Sequence, residues 1–190
     1  MYIKQFSLIS LLFLFCVTAY ALDLNLTKIT NKNDKINIEY NNTLQLHDFV
    51  LVDGNLISPF YESKGTKYYF FYFLNRKLKQ EIIDNVSNKQ KVINTNARGK
   101  TEYKINKCNI VKNPKTILAF MSVIFNDNIE INCNIMNGKY GLWVSWPSLK
   151  ENNGWRKIFD IKDKSLKDKI ETELLKYYKQ KRNDDKLKKE

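Results

Sequence analysis

The 190-residue sequence has few of the residues from which catalytic and metal sites are built. It contains one histidine, His47, and three cysteines. It has no HExxH, GxSxG or phosphate-binding glycine motif, and no cysteine pair with the spacing of metal ligands. His47 next to Asp48 is at most a fragment of an acid–base site, because no motif places a nucleophile or a second base near it. We therefore expect a protein that is not an enzyme and holds no cofactor and no metal.

The longest apolar run of the sequence, interrupted only by two serines, is at the N-terminus. Lys4 gives a positive start, Phe6–Val17 is apolar apart from small polar residues, and Ala19-Tyr20-Ala21 has the small-x-small form of a cleavage site. This pattern is typical of a secretory signal peptide and is short for a membrane span, although an uncleaved anchor is the alternative. We predict that residues 1–21 are removed and that the mature chain is exported to the periplasm, the envelope or the medium.

Acidic residues are scarce relative to basic ones in only part of the chain. The formal charge is +12, of which Lys4 contributes one, so +11 remains after removal of the leader. Residues 22–87 hold 8 Lys/Arg and 8 Asp/Glu, residues 88–161 hold 12 and 5, and residues 162–190 hold 11 and 7. A neutral half beside a basic half indicates an anionic partner for the second half. The alternative is a generally lysine-rich composition without a binding role.

The stretch Ile129–Ser148 carries the clearest secondary-structure signal. Apolar residues alternate with polar ones from Ile129 to Ile135, which is typical of a strand with one buried face. Asn137-Gly138 then favours a turn, and a second β-rich run follows until Pro147. The pattern predicts a β-hairpin.

This hairpin resembles the SpoVG family (stage V sporulation protein G, the septation protein family). The resemblance lies in Asn137–Val144 followed by Pro147-Ser148, which is similar to the family's D/N-G…G-L-F-V…P-S core. It extends from Glu102 to Tyr178 and includes flanking segments at Leu118–Ile124, Asn126-Asp127, Gly154–Asp160 and a helix beginning near Ser165.

The first half looks like a degenerate copy of the same pattern. Leu44–Asn55 contains the family's H-D and D-G pairs as His47-Asp48 and Asp53-Gly54. In this alignment Asp53-Gly54 falls on Asn137-Gly138 and Pro59 falls on Pro147. Only four residues separate Gly54 from Pro59, against eight between Gly138 and Pro147, so the second arm of the first hairpin is expected to be shortened.

Both halves are predicted to end in a helix. Asn75 is a cap for a helix with apolar positions Leu78, Ile82 and Val86. Ser165 and Asp168 resemble a capping box, and the buried stripe of that second helix is formed by Leu166, Ile170, Leu174 and Tyr177 or Tyr178. The fold class is therefore α+β, with two tandem SpoVG-like units that are each a small antiparallel β-meander followed by a helix.

The chain is divided into a signal peptide, two repeats, a linker and a tail. The expected boundaries are 1–21, 22–87 for the degenerate repeat, 88–101 for the linker, 102–180 for the SpoVG-like domain and 181–190 for a charged tail that frays. The resemblance implies a homodimer built by pairing two such sheets, so two copies in one chain are expected to form an intramolecular pseudo-dimer that is monomeric in solution. Independent domains on a flexible linker are the alternative.

Cysteine and aromatic positions give three further expectations. Cys108 and Cys133 are predicted on alternate strands, about 9–10 Å apart, and therefore as buried free thiols, unless the strand order is not a simple meander. Trp143 and Trp146 should face opposite sides of the sheet, with one in the core. The run Tyr68–Phe73 is expected to be buried on both faces, between the repeats.

The resemblance also implies binding of DNA or RNA through basic residues that follow the Pro-Ser corner and lie on the C-terminal helix. Leu149 departs from the family pattern, in which a basic residue usually follows the serine. Lysines that are merely solvated on an exposed helix face are the alternative. The matching positions in this chain are Lys150, Arg156, Lys157, Lys176, Lys179, Lys181 and Arg182.

Two functions follow from these features. The first is a non-enzymatic septation or cell-division accessory in the envelope, whose basic half meets an anionic polymer, lipid headgroups or a component of the division machinery. The second is a nucleic-acid-binding regulator like cytoplasmic members of the family. It requires that residues 1–21 do not export the chain, or that the partner is extracellular DNA.

Overall fold

The computed structural model of the chain describes residues 24–89 and 99–187, so the predicted signal peptide and most of the predicted linker lie outside the described residues. The first described segment contains seven strands and one helix: β1 Leu26–Lys32, β2 Lys35–Tyr40, β3 Leu44–Val52, β4 Asn55–Ile57, β5 Phe60–Ser63, β6 Thr66–Tyr69, β7 Phe71–Phe73 and α1 Arg76–Ser87. The second segment has the same order of elements: β8 Tyr103–Ile110, β9 Ile117–Phe125, β10 Ile129–Gly138, β11 Gly141–Ser145, β12 Ser148–Glu151, β13 Gly154–Lys157, β14 Phe159–Ile161 and α2 Lys164–Leu187.

All the strand pairs are antiparallel and form two five-stranded sheets and two hairpins. The first sheet has the order β1-β2-β3-β14, with β4 paired to β3. The second has the order β11-β10-β9-β8, with β7 paired to β10. The hairpins β5–β6 and β12–β13 stand apart from the sheets. The fold is α+β, as predicted, with antiparallel sheets and a C-terminal helix.

Each half donates one short strand to the sheet of the other half. Strand β7 of the first half pairs with β10, so that Phe71 lies opposite Ile131. Strand β14 of the second half pairs with β3 in the matching register, so that Phe159 lies opposite Leu46. The predicted meander is therefore incomplete, because each sheet takes a strand from the other half, and the two halves are not independent domains.

The core is continuous across the two halves. Its largest fully buried side chains include Tyr40, Phe49, Phe71, Phe125 and Phe159. The rings of Phe71 and Phe159, which occupy matching positions in the exchanged strands, lie 6.3 Å apart between centroids. The exchange of strands and the shared core bury apolar area that neither half of this size can bury alone.

The turns of the sheets follow the residues that tolerate a positive φ. Asp53-Gly54 forms the two-residue turn between β3 and β4, with φ values of 48° and 74°. In the hairpin β10–β11, however, the turn is Lys139-Tyr140, flanked by the paired glycines Gly138 and Gly141. The turn predicted at Asn137-Gly138 is thus wrong by two residues, because the positive φ, 109°, falls on Gly141. The shortened arm remains, since β4 has 3 residues and β11 has 5.

Helix α1 follows its predicted pattern. The side chain of Asn75 accepts a hydrogen bond of 2.9 Å from the backbone N–H of Lys77. Leu78 and Ile82 are buried, and Val86 packs at the edge of the core. The helix therefore begins at a satisfied cap and covers the first half with one apolar stripe.

Helix α2 differs from its prediction at both ends. Its cap is Asp163, whose carboxylate accepts from the backbone N–H of Leu166 at 3.0 Å, so the helix begins at Lys164 and Ser165 is not the cap. Ile170, Leu174 and Tyr178 form the buried stripe, and Tyr177 is exposed.

The expected fraying after Tyr178 does not occur before Leu187. Lys181 and Asp185 are half-buried, and both lie close enough to Cys108 of β8 to affect its pKa.

The two cysteines are buried and free, as predicted. Cys108 of β8 and Cys133 of β10 are both paired in register with Met121 of β9, which lies between them. Burial, together with the charge of Glu171 in α2, raises the pKa of Cys133 to about 12. The buried side chains Ile170 and Leu174 of α2 belong to the same hydrophobic core as Met121 and Cys133, so α2 lies on the face of the second sheet that carries Cys133.

The aromatic run Tyr68–Phe73 is not buried on both faces, contrary to the expectation. It is divided between β6 and β7, and only Phe71 is fully buried, whereas Tyr68 and Tyr72 are 43% and 42% exposed. Tyr72 lies opposite Glu130, one residue out of phase with the Cys133 face, so it points away from α2. None of the helices in the described part of the chain lies over that face of the second sheet.

Candidate functional site

The basic residues predicted after the Pro-Ser corner lie on the hairpin β12–β13, and only one of them is free. Arg156 forms ion pairs with Asp48 of β3 and with Glu151. Lys157 lies 3.4 Å from the carboxylate of Asp160. Lys150 is exposed and has no ion pair within the described ranges. Lys150 is therefore the one predicted residue of this hairpin that has no ion pair among the described residues.

The Asp48–Arg156 pair joins the two halves at the edge of the first sheet. Asp48 has a φ of 69°, and its side chain is 8% exposed. Burial alone would raise the pKa of Asp48, but the guanidinium of Arg156 and the ammonium of Lys35, 3.4 Å away, hold it below its usual value. The same pairing raises the pKa of Arg156. The contact is a structural ion pair between halves.

His47 lies beside this pair and is also held by the fold. Its Nδ1 is 3.2 Å from the side-chain oxygen of Asn37, and its backbone N–H donates to the carbonyl of Ile158 at 2.9 Å. Burial lowers the pKa of His47 and outweighs the opposing charge of Asp48. The ring therefore favours its neutral form near pH 7.

The basic residues predicted on α2 form the more accessible group. Lys176, Lys179 and Arg182 are exposed and lie outside the buried stripe of the helix. None of these three has an ion pair with another described residue. Lys181 is different, since it is half-buried against β8 near Cys108. The structure thus places the predicted residues on two separate elements and leaves the α2 group free to contact an anion.

A second feature, which the sequence reasoning missed, is an open groove of about 980 Å³. Its floor is the uncovered face of the second sheet, and its walls come from the hairpins β5–β6 and β12–β13, one from each half. Aromatic side chains dominate its lining: Tyr61, Tyr68, Tyr69, Phe70, Tyr72, Phe120, Trp143, Trp146 and Trp155. Four of them, Tyr68, Tyr69, Phe70 and Tyr72, belong to the run that the sequence predicts to be buried on both faces. The sequence signal for this groove is the high proportion of tyrosines among these aromatic residues, because a tyrosine can bury its ring and leave its hydroxyl group in contact with water.

The rings of the groove are held in defined positions. Tyr61 and Tyr68 stack with centroids 4.9 Å apart and an interplanar angle of 12°. The indole of Trp143 lies across Gly138, where an added Cβ would come within 3.1 Å of its Nε1. Trp146 donates from Nε1 to Glu171 at 2.7 Å and packs on Phe159. Trp143 is 48% exposed and Trp146 is half-buried against the core, but both line the groove, so the prediction that they face opposite sides of the sheet is not confirmed.

The described residues contain neither a metal-binding cluster nor a membrane-spanning helix. No group of three or more His, Cys, Asp or Glu side chains in residues 24–89 and 99–187 is arranged to hold a metal ion. Over the same residues, no helix combines the length and the apolar character that crossing a membrane requires.

Comparison with known proteins identifies one family. Residues 99–180 match the SpoVG family model, which covers the second half of the chain from before β8 into α2. No curated protein and no solved structure matched the chain. The match agrees with the resemblance seen from Glu102 to Tyr178 and does not extend to the first half. Residues 99–180 are therefore similar to the SpoVG family.

Proposed function

We propose that the protein is a non-enzymatic binding protein of the cell envelope that acts as an accessory of septation through the basic face of α2. The observation that supports this most directly is the group Lys176, Lys179 and Arg182, which is exposed and free of ion pairs among the described residues. A free cationic group on a rigid helix favours an anionic partner, because its charges are not neutralised within the protein.

The distribution of charge supports the same proposal. Residues 22–87 have no net charge, whereas residues 162–190 have 11 basic and 7 acidic residues. Helix α2 has 24 residues, which corresponds to a length of about 36 Å. A rod of this length with basic residues in its second half suits an extended anionic polymer or a layer of anionic headgroups. Export is part of the proposal and rests on the leader pattern of residues 1–21.

We also propose that the two halves are tandem copies of one unit, the first of them degenerate. The support is the identical order of eight elements and the matching registers of the exchanged strands β7 and β14. In this arrangement each half completes the sheet of the other, as two subunits do in a dimer with exchanged strands. One chain is then sufficient, and we expect a monomer in solution.

The test is the replacement of the free basic group on α2. The variant K176Q/K179Q/R182Q should elute from immobilised heparin, used as a generic polyanion, at clearly lower salt than the natural chain, because three counterion-releasing contacts are lost. The control K28Q/K32Q/K64Q removes the same charge from exposed sites in the first half and should elute nearly unchanged. Equal shifts for the two variants would mean that only net charge acts, and the α2 site would be rejected.

The alternative function is a nucleic-acid-binding regulator, which the family resemblance implies and which uses the same basic residues. Location separates the two proposals. N-terminal sequencing of the native protein, combined with fractionation, should find a mature chain that begins at Leu22 in the exported fraction. A full-length chain in the cytoplasm would instead favour the regulator. A tagged copy spread uniformly over the envelope, without enrichment at the septum, would contradict the septation role.

A further inference from the structure

The aromatic groove lies on a different surface from the basic face of α2. Helix α2 packs against β8 and β11, and its buried residues Ile170 and Leu174 belong to the same hydrophobic core as Cys133, so α2 covers the face of the second sheet that carries Cys133. The groove floor includes Asn132 and Asn134, which alternate with Cys133 along β10 and so point to the opposite side. Binding in the groove is therefore separable from binding at α2 and is independent of the function proposed above.

The charge of the groove argues against a polyanionic ligand. Of the described residues that line it, Lys150 is the only charged one. The lining carries no carboxylate. A nucleic acid or another polyanion needs several cations along its path, so the groove suits an uncharged ligand. Its apolar rings favour a ligand with a large apolar surface.

The matching face of the first sheet carries ion pairs where the second sheet has aromatic side chains. There, Arg156 of β13 pairs with Asp48, and Lys162 lies 2.9 Å from Glu39, so charged side chains close the surface. In the hairpin β5–β6, the position that matches Arg156 is occupied by Tyr68, since Tyr61 pairs with Tyr68 as Leu149 pairs with Arg156. An aromatic side chain stands where the other half has its ion pair, and the face stays open.

The hydrogen-bonding groups of the groove favour a ligand rich in acceptors. The indole N–H groups of Trp143 and Trp155, two of the lining residues, are donors only and have no hydrogen-bond partner among the described residues. Asn109 and Asn134 also line the groove, and their side-chain amides have no hydrogen-bond partner among the described residues. A sugar presents many hydroxyl groups, which usually donate hydrogen bonds to carboxylates in a binding site. The lining of this groove has no carboxylate. A proline-rich segment presents carbonyl acceptors and few N–H donors, together with apolar rings.

From these observations we propose that the groove binds an extended, proline-rich segment of another protein. Tyr61, Tyr68, Tyr72, Trp143 and Trp155 form the aromatic surface on which the proline rings pack, and the indole N–H groups donate to the carbonyls of the segment. Aromatic-lined grooves recognise polyproline II helices in this way, because the segment is already extended and loses little entropy on binding. The chain itself has three prolines, at 59, 114 and 147, so it contains no proline-rich segment that would fill the groove.

The experiment is a titration of the full chain with a fluorescent decaproline peptide, read by anisotropy. Saturable binding is expected, and a glycine-serine peptide of equal length should not bind. W143A, which alters the floor of the groove, and Y68A, which alters the wall formed by β5–β6, should each weaken binding at least tenfold. The control Y140A removes an aromatic ring that is 95% exposed on the same hairpin as Trp143 but does not line the groove, and it should bind as the natural chain does.

Two further readouts keep the result interpretable. Circular dichroism and thermal unfolding establish that W143A and Y68A are folded, and K176Q/K179Q/R182Q should bind decaproline with unchanged affinity. The two proposals can therefore fail independently: loss of anion binding at α2 would not affect decaproline binding in the groove, and loss of decaproline binding would not affect α2. The proposal is overturned by absence of decaproline binding, by binding that W143A and Y68A do not weaken, by binding of a neutral oligosaccharide in place of the peptide, or by self-association that W143A abolishes.

Discussion

At the scale of the residue, the contact between Asp48 and Arg156 links the first sheet to a hairpin of the second half. The two residues are 108 positions apart in the sequence, and the carboxylate is almost fully buried. Asp48 also has a φ of 69°, a conformation that asparagine and aspartate adopt more readily than other side chains. The His-Asp pair was recognised in the sequence as part of a family pattern, but nothing local indicates that its carboxylate is paired with an arginine.

The prediction at this position concerns stability and its dependence on pH. D48N keeps a residue that tolerates the positive φ but removes the charge, and should lower the free energy of unfolding by about 1–3 kcal/mol at pH 7. The pKa of Asp48 is lower in the folded chain than in the unfolded chain, where it is about 3.9. The stabilisation is therefore present above pH 4 and is lost as the pH falls through the native pKa.

Urea denaturation at pH 7 and at pH 3 measures this difference. The difference in the free energy of unfolding between the natural chain and D48N should be smaller at pH 3 than at pH 7. D53N is the matched control, because Asp53 also has a positive φ, at 48°, but is exposed in a turn. A gap that stays constant between the two pH values would show that the ion pair does not stabilise the fold.

At the scale of the element, the N-terminus of α1 combines a cap with a contact to the other half. The Asn75 side chain accepts from Lys77 and also donates to the side-chain oxygen of Asn128 at 2.6 Å. The backbone N–H of Leu74 donates to the carbonyl of Asn128 at 2.8 Å. The loop between β9 and β10 therefore fixes the position at which α1 begins.

Substitution of Asn75 separates these two roles. N75A removes the cap and the contact with Asn128, and should cost about 2–3 kcal/mol. N75D keeps the cap acceptor and places a favourable negative charge at the helix N-terminus, so it should cost only about 1 kcal/mol, from the lost contact. The free energy of unfolding in urea measures both. Equal losses for N75A and N75D would show that the cap contributes nothing.

At the scale of the whole molecule, the exchange of β7 and β14 makes each sheet depend on both halves. The three residues of β7 continue the second sheet, and the three of β14 continue the first. Because the exchanged strands carry Phe71 and Phe159 into the shared core, separating the halves would expose both sheet edges and the apolar core at once. The covalent connection between α1 and β8 is not what holds the halves together.

Cleavage of that connection tests this interpretation. A specific protease site placed within residues 90–98 should allow cleavage into two fragments that still elute together with the mass of one chain. As denaturant is added, the two associated fragments should unfold together in one cooperative transition, and they should separate only when they have unfolded. The uncleaved variant, which should itself elute as a monomer, is the control. Fragments that elute separately in native buffer would contradict the exchange.

The sequence by itself determined the features that depend on neighbouring residues. The alternation from Ile129 to Ile135 predicted strand β10. Asp53-Gly54 predicted the turn between β3 and β4, and Asn75 predicted the start of α1. Each of these signals acts through the backbone of adjacent residues. The same local information identified the SpoVG pattern that matches residues 99–180. One error of the sequence-based prediction was also local. The turn of the hairpin β10–β11 was placed two residues too early, because Gly141 and not Gly138 takes the positive φ.

Only the tertiary structure decided which surfaces are covered and which residues meet. The period of two shows that β10 has two different faces but does not show that α2 covers one of them and leaves the other open. The exchange of β7 and β14, the pairing of Arg156 with Asp48 and the aromatic groove all arise from contacts between distant segments. Such contacts depend on where whole elements pack, so an arginine predicted to bind a partner was found instead to join the two halves of its own chain.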